Sequence, residues 1–181
     1  LVLAFFENDQ DTIKPFLDAI MKGFGEHLTS LYYCINGKIN EYMMDLEMNL
    51  FAGTATIKET IGHVSFHIGP KSFFQTNTRQ GKNLYDITAE YAGLTGTENV
   101  YDLYTGIGSI GQYVAKDAKS VVGIEEIAAA IDDAKINAEM NGLDNCTWYA
   151  GRTENILTTE FAAKHGRPDV LITDPPRAGM H

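Results

Sequence analysis

Short apolar runs alternate with longer amphipathic segments along the carboxyl-terminal part of the chain. The apolar runs predict buried strands, and they cover residues 100–104, 120–124, 146–149 and 169–173. Between them apolar residues recur at helical spacing, which predicts helices over residues 110–115, 127–138 and 154–163. Strands that alternate with helices indicate a parallel sheet covered on both faces. This part of the chain is therefore predicted to have an α/β fold.

The amino-terminal part has a different pattern. Apolar runs predict strands over residues 1–6, 31–35, 54–61 and 63–68. A helix is predicted from Ile13 to Phe24, where apolar residues recur at helical spacing, and Asp9 or Asp11 can cap its first turn. The mixed polar stretch 38–49 predicts no regular element. The pattern is that of a small α/β unit.

Gly69-Pro70 interrupts these patterns and marks the predicted boundary between two domains. We assign residues 1–69 to a small central α/β domain and residues 70–181 to a second domain. Thr76 or Asn77 can cap the first helix of the second domain. That helix is predicted from a helical run through Leu84, Ile87, Thr88 and Tyr91.

The composition narrows the class of protein. The 181 residues are 44% hydrophobic and 21% charged, which is ordinary for a soluble globular protein. No apolar run approaches the roughly 20 residues that span a bilayer, so we expect no membrane association. The net charge of -10 argues against a large nucleic-acid-binding surface, because phosphate contacts need Lys and Arg. A nucleic-acid substrate would therefore need a local basic surface or one outside this sequence.

The chain has two cysteines, Cys34 and Cys146, each inside a strand-like run and neither in a C-x-x-C pair. We interpret them as buried reduced thiols. Reduced thiols are typical of the cytoplasm, which is the location that we expect.

A glycine-rich turn follows the strand at 100–104. Residues Gly106 to Gly111 fit G-x-G-x-x-G, and Glu125 lies about 20 residues further on, at the end of the next predicted strand. Glycines let a ligand approach the backbone closely, and a carboxylate at the neighbouring strand end can accept hydrogen bonds from ribose hydroxyls. This arrangement predicts a site for a nucleotide-containing cofactor.

Two acidic positions favour S-adenosylmethionine over a dinucleotide. Asp102 lies in the strand just before the loop, where a carboxylate suits a cationic amino-acid ligand and disfavours a pyrophosphate. Asp174 to Arg177 (Asp-Pro-Pro-Arg) closes a later strand at the same predicted edge. Consecutive prolines fix an extended turn that can hold a carboxylate over the cofactor. A nicotinamide dehydrogenase has no need of such a corner.

Together these motifs resemble the RNA uracil-C5 methyltransferases, which make 5-methyluridine in ribosomal or transfer RNA. The resemblance is densest from Ser72 onward, and residues 1–69 resemble part of the family's central domain. The segments that carry it are Phe73–Asn77, Asp102–Gly108, Gly123–Glu125, Asn137–Gly142 and Asp174–Gly179. The resemblance implies a Rossmann-like methyltransferase fold and a soluble monomer that uses S-adenosylmethionine, with ribosomal RNA favoured over transfer RNA as substrate.

The resemblance also implies roles for individual residues. The implied cofactor-binding residues are Gln75, Tyr104, Gly106, Gly108, Ser109, Glu125 and Asp174, while Pro175, Pro176 and Arg177 would border the target base. Among them Glu125 would hold the ribose hydroxyls. Thr105 stands where a cysteine is common in the family, a difference expected to matter little. No metal is implied.

In this family a cysteine thiolate adds to uracil C6, so that C5 can attack the sulfonium methyl, and a base then removes the C5 proton. Both groups lie beyond the Asp-Pro-Pro-Arg segment in the family, and neither Cys34 nor Cys146 is in that context. We therefore expect a truncated, cofactor-binding fragment with no catalytic residue, which does not methylate RNA as it stands. The amino-terminal RNA-binding β-barrel of many relatives is also absent from this sequence.

Two other interpretations stay open at this point. Another nucleic-acid methyltransferase with an Asp-Pro-Pro motif, such as an amino-group methyltransferase, would place an aromatic residue where Arg177 stands. A non-catalytic cofactor-binding or RNA-scaffolding protein would need no nucleophile at all.

Overall fold

The computed structural model describes residues 1–40, 43–175 and 179. It divides into two compact units. The first contains Leu1–Ile57 and Ile68–Lys71, and the second contains Lys58–His67 and Ser72–His181 as far as the structure describes them. The described strands form sheets of three, two and four strands.

The first unit contains one helix and a mixed sheet. Its elements are β1 (Val2–Phe5), α1 (Gln10–Phe24), β2 (Ser30–Ile35) and β3 (Asn49–Gly53). Strand β2 pairs in parallel with β1 and antiparallel with β3. Ile13 and Leu17 of α1 pack with Leu31 of β2 to form a buried core. Asp9 caps α1 by accepting a hydrogen bond from the Asp11 amide, as the sequence predicted.

The predicted strands at 54–61 and 63–68 form a two-stranded hairpin of β4 (Ile57–Ile61) and β5 (Val64–Ile68). Val64 and Phe66 point into the core, while Ser65 and His67 are half-buried, which is the alternation expected for a strand. Residues Lys58–His67 of this hairpin belong to the second compact unit.

The second unit is built on a parallel four-stranded sheet in the order β8-β7-β6-β9. Its strands are β6 (Asn99–Leu103), β7 (Ser120–Glu125), β8 (Cys146–Ala150) and β9 (Val170–Thr173). Its main helices are α2 (Thr78–Ala92), α3 (Ser109–Val114) and α4 (Ala128–Met140). Strands β6 and β7 are almost fully buried and form the core. The predicted parallel α/β arrangement is confirmed.

Two details differ from the predicted elements. The single helix predicted over 154–163 is two short helices, α5 (Thr153–Ile156) and α6 (Thr159–His165). Thr158 starts the second one because its hydroxyl oxygen accepts a hydrogen bond from the Phe161 amide. Strand β3 was not predicted, and it forms where a neighbouring strand supplies its hydrogen bonds.

Helix α2 begins at the predicted cap Asn77, whose side chain accepts a hydrogen bond from the Gln80 amide. Its buried face contains Gly81 and Tyr85. The apolar residues that predicted the helix, Leu84, Ile87 and Tyr91, are instead exposed. Within the described ranges, no helix is both long enough and apolar enough to cross a membrane.

Candidate functional site

The sheet topology points to one edge. The chain runs outward from β6 through β7 to β8, and then returns to place β9 on the other side of β6. The reversal in strand order lies between β6 and β9. In open parallel sheets ligands bind at the carboxyl ends of the strands beside such a reversal. The glycine-rich turn that follows β6 lies at this position.

The turn between β6 and α3 reverses the chain sharply. Three of its residues have positive φ angles, namely Tyr104 at 61°, Gly106 at 58° and Gly108 at 76°. Such angles are easy for glycine and uncommon for a residue with a side chain. The Gly108 amide donates a hydrogen bond of 2.9 Å to the Thr105 carbonyl, which closes the turn before α3 begins.

The glycines around this turn lie in two different environments, one closely packed and one open. A Cβ atom at Gly108 would lie 2.6 Å from Cη2 of Trp148, and one at Gly123 would lie 2.2 Å from Cε3 of the same indole. These glycines make room for Trp148. By contrast, a Cβ atom at Gly106 would meet no atom of the described residues within 4 Å. Gly106 therefore exposes its backbone to open space, where a ligand can approach it.

Asp102 lies beneath the turn and holds it. The side chain is 1% exposed, and its Oδ2 atom accepts hydrogen bonds from the Thr105 hydroxyl at 2.5 Å and from the Gly111 amide at 2.9 Å. Burial raises the pKa of the Asp102 carboxyl to about 6; the two hydrogen bonds oppose that shift, while the negative charges of Asp174 and Glu125 add to it. The hydroxyl of Thr105 thus has a role that the family resemblance did not predict.

Glu125 joins the end of β7 to the turn. Its Oε2 atom accepts a hydrogen bond of 3.1 Å from the Gly106 amide, and its Oε1 atom accepts one of 3.0 Å from the Ile127 amide. The side chain is half-buried. A carboxylate has about four acceptor sites, so each oxygen can accept a further hydrogen bond from a ligand hydroxyl. The structure therefore brings two predicted site residues, Gly106 and Glu125, into direct contact.

Helix α2 supports the other side of the turn. The Tyr85 hydroxyl donates a hydrogen bond of 2.8 Å to the Ser109 side chain, at the first residue of α3. Tyr85 is 1% exposed, and burial raises the pKa of its hydroxyl. Gln75 precedes α2 and lies against Gly81. The sequence pointed to Gln75 and Ser109 but missed Tyr85, because the exposed residues of α2 carried the apolar pattern.

Asp174 follows β9 at the same edge. Its amide lies 3.5 Å from the Leu103 carbonyl, which places it beside the end of β6, and its side chain is exposed. Pro175 is half-buried. The predicted base-bordering residues Pro176 and Arg177 lie outside the described residues.

Neither cysteine has the properties of a nucleophile. Cys34 is buried, and burial raises the pKa of its thiol. Burial also raises the pKa of the Cys146 thiol, to about 12, and the charges of Asp102 and Asp144 contribute. Both thiols are therefore protonated at neutral pH, whereas the thiolate is the reactive form. Among the residues that the structure describes, no group of three or more His, Cys, Asp or Glu could hold a metal ion.

Comparison with known sequences identifies close relatives. The chain is 50% identical over 175 residues to an uncharacterized RNA methyltransferase of Bacteroides thetaiotaomicron, which covers 97% of this chain and 38% of the relative. It is 49% identical over 181 residues to an uncharacterized RNA methyltransferase of Porphyromonas gingivalis, with 100% and 39% covered. The chain thus spans about two fifths of the length of these relatives. No family model matches it.

Comparison with solved structures identifies the fold. The tRNA (uracil-54, C5)-methyltransferase of Pyrococcus abyssi, solved in complex with S-adenosyl-L-homocysteine, superimposes with a TM-score of 0.68 at 30% identity. The match covers 87% of this chain and 38% of that one. This chain has the fold of S-adenosylmethionine-dependent methyltransferases. A second methyltransferase of that class, from Agrobacterium tumefaciens, matches 86% of this chain and 49% of its own at a TM-score of 0.58 and 15% identity, which supports the fold alone. The predicted Rossmann-like class is confirmed.

Proposed function

We propose that this chain is the S-adenosylmethionine-binding part of an RNA methyltransferase that methylates uridine at C5. The observation that carries the proposal is the open backbone at Gly106, which is hydrogen-bonded to the Glu125 carboxylate at the reversal point of the sheet. The similarity to proteins named RNA methyltransferases supports the reaction class, and the Pyrococcus tRNA enzyme supports the uracil C5 position.

The residues at this edge suit the cofactor. Gly106 allows the cofactor to approach the backbone, and Glu125 accepts hydrogen bonds from the ribose hydroxyls. Tyr104, Gly108 and Ser109 belong to the same turn, and Asp174 lies beside its start. We assign Gln75 to the same site from the resemblance alone. When bound, the cofactor would supply an electrophilic methyl group on its sulfonium.

The charge of the site favours a cation over a pyrophosphate. Asp102, Glu125 and Asp174 are close enough for the charges of the last two to raise the pKa of the first. A dinucleotide would bring further negative charge to this edge, whereas S-adenosylmethionine brings a sulfonium and an ammonium group. The negative charge at this edge therefore favours S-adenosylmethionine over a dinucleotide.

We assign the thiolate nucleophile and the base to a part of the relatives' length that this chain does not span. Burial raises the pKa of both Cys34 and Cys146, which disfavours the thiolate that would add to uracil C6. The residues described here bind and orient the methyl donor. RNA contacts, a cytoplasmic location and a monomeric state belong to the same proposal.

Calorimetric titration tests the cofactor. S-Adenosylmethionine and S-adenosylhomocysteine are expected to bind this chain, and NAD is expected not to bind. Binding of NAD without binding of the other two ligands would overturn the cofactor assignment.

Nucleoside analysis tests the substrate. The natural protein that carries this sequence is incubated with methyl-labelled S-adenosylmethionine and with transcripts of ribosomal RNA and of transfer RNA, and the digested RNA is analysed. We expect label in 5-methyluridine, with ribosomal RNA as the first substrate to test. Label on an exocyclic amino group would support an amino-group methyltransferase instead, and a protein that binds the cofactor but transfers no methyl group would be a scaffold.

A further inference from the structure

A buried amide lies directly below the glycine turn. Gln112 in α3 is 0% exposed, and its Nε2 atom donates hydrogen bonds to the Ile107 carbonyl at 3.1 Å and to the Ala134 carbonyl at 3.3 Å. Ile107 lies between the two glycines of the turn, and Ala134 lies in α4. One side chain therefore connects the backbone of the turn to the neighbouring helix.

The same amide lies against the second glycine of the turn. A Cβ atom at Gly108 would lie 2.9 Å from Nε2 of Gln112. The position of the Gln112 side chain is therefore coupled to the path of the backbone from Gly106 to Gly108. A change in the amide must move this backbone or leave the Ile107 carbonyl without its buried donor, which costs free energy.

Helix α4 is in turn joined to the hairpin by two asparagines. Asn137 accepts a hydrogen bond from the His67 amide at 2.8 Å and donates one to the His67 carbonyl at 3.2 Å. Asn141 accepts from the Ser65 amide at 3.0 Å and donates to the Ser65 carbonyl at 2.7 Å. Asn137 lies in α4 and Asn141, four residues on, caps its carboxyl end, while their partners are two apart on a strand, so each pair lies on one face. Each asparagine side chain thus pairs with a backbone N–H and a backbone carbonyl of β5, as a neighbouring strand would.

Asn141 also reaches Gln112. Its Nδ2 atom lies 3.3 Å from Oε1 of Gln112, and the same nitrogen is 2.7 Å from the carbonyls of Ser65 and Asn137. An amide nitrogen has two hydrogens, so the contact to Gln112 is the weakest of the three. The principal support of the turn is thus Gln112, and Asn141 holds the far end of that side chain.

We propose that Gln112 is a positioning residue for the cofactor turn and that Asn141 secures it from the hairpin side. This inference rests on the proposed cofactor site and adds residues that would act on the cofactor only through the Ile107–Gly108 backbone. The basis is the hydrogen bond from the Gln112 side chain to the Ile107 carbonyl, because the backbone of α3 does not supply a donor to that carbonyl.

The test uses a matched pair of variants of the 181-residue chain. Gln112→Met removes both donors and keeps the side-chain length. Asn145→Leu is the control, because Asn145 also donates two hydrogen bonds to backbone carbonyls, those of Ala115 and Ala118, at 2.8 and 3.0 Å, away from the turn. The measurements are thermal unfolding, calorimetric affinity for S-adenosylhomocysteine, and the amide resonances of Gly106 and Gly108 in heteronuclear NMR spectra.

We expect both variants to lose thermal stability, and only Gln112→Met to bind S-adenosylhomocysteine at least tenfold more weakly and to shift the Gly106 and Gly108 resonances. Unchanged affinity and resonances in Gln112→Met would overturn the inference, as would an equal loss of affinity in Asn145→Leu. If the unaltered chain does not bind S-adenosylhomocysteine, the proposed cofactor fails, and the resonances alone decide the role of Gln112.

Asn141→Ala provides a second route if Gln112→Met does not fold, because the Asn141 side chain is only half-buried. We expect a smaller effect, about threefold in affinity, with the Gly108 resonance shifted. A Gly108 resonance identical to that of the unaltered chain would contradict the proposal that Asn141 secures the Gln112 side chain.

Discussion

Two neighbouring strands, β6 and β9, end at the carboxyl edge of the sheet, and the described residues that follow them differ in their contacts. The turn after β6 is fixed from below by Asp102, from the side by Glu125 and from α3 by Gln112. The end of β9 carries an exposed Asp174, with a backbone contact of 3.5 Å to Leu103. The glycine turn is thus formed before any ligand arrives, because residues near it in sequence and on adjacent strands satisfy its polar groups.

The same contrast separates two carboxylates on neighbouring strands. Asp102 is buried, and its Oδ2 atom accepts two hydrogen bonds from the turn and the start of α3, whereas Glu125 is half-buried and lies where a ligand can reach it. Proximity to a glycine-rich turn therefore does not by itself make an acidic residue a ligand contact. Burial and hydrogen-bond partners decide which of the two shapes the site and which faces the cofactor.

A substitution at Gly123 should disrupt the packing under the glycine turn and cause the greatest loss of stability. Gly123→Ala places a methyl group 2.2 Å from the Trp148 indole and 3.0 Å from Cγ2 of Thr105. We expect a loss of about 3 kcal/mol in the free energy of unfolding, measured in urea, because a rigid ring must move. Asp174→Ala, at the exposed residue that follows β9, is the control and is expected to change stability by less than about 0.5 kcal/mol. Equal losses of stability in the two variants would contradict a special role for the packing under the glycine turn.

A substitution at Glu125 tests whether this carboxylate contacts the ligand. Glu125→Ala should weaken binding of S-adenosylhomocysteine by about 1–3 kcal/mol, since it removes an acceptor for the ribose and the hydrogen bond to the Gly106 amide. Glu126→Ala is the matched control, because Glu126 is the next residue and is exposed. Calorimetric affinities that are unchanged in Glu125→Ala would exclude Glu125 from the site.

Titration of the Asp102 carboxyl should make the free energy of unfolding depend on pH. Its pKa is about 6 when folded and 3.8 ordinarily, so the folded chain binds an additional proton between these values. The free energy of unfolding should therefore fall as pH rises through this window and level off above it. From pH 5.0 to 7.5 the unaltered chain should lose on the order of 1 kcal/mol more than Asp102→Asn, measured by urea denaturation. Parallel pH profiles would show that Asp102 does not titrate there.

Local pattern was enough to predict much of this structure. The parallel strands, the helix caps at Asp9 and Asn77 and the position of the glycine turn follow from residues close together in sequence. Burial on both faces gives the central strands continuous apolar runs, which makes them easy to recognise.

Long-range contacts could not be predicted in the same way. The sequence does not indicate that Trp148 lies across Gly108 and Gly123, or that Gln112 satisfies the Ile107 carbonyl. Helix α2 shows the limit most clearly. Its apolar pattern ran through exposed residues, whereas the buried face contains a glycine and the tyrosine that bonds to Ser109. Which face is buried depends on the neighbouring turn rather than on hydrophobic spacing.

One matched titration with S-adenosylhomocysteine tests whether the backbone at Gly106 forms the floor of the cofactor site. Gly106 and Gly93 both have a φ angle of 58°, and a Cβ atom at either would lie more than 4 Å from every atom in the part of the chain that the structure describes. Alanine at each position should therefore cost about 1–2 kcal/mol of stability. We predict that Gly106→Ala binds at least tenfold more weakly, about 1.4 kcal/mol, while Gly93→Ala binds as the unaltered chain does. Equal affinities in the two variants would contradict the account.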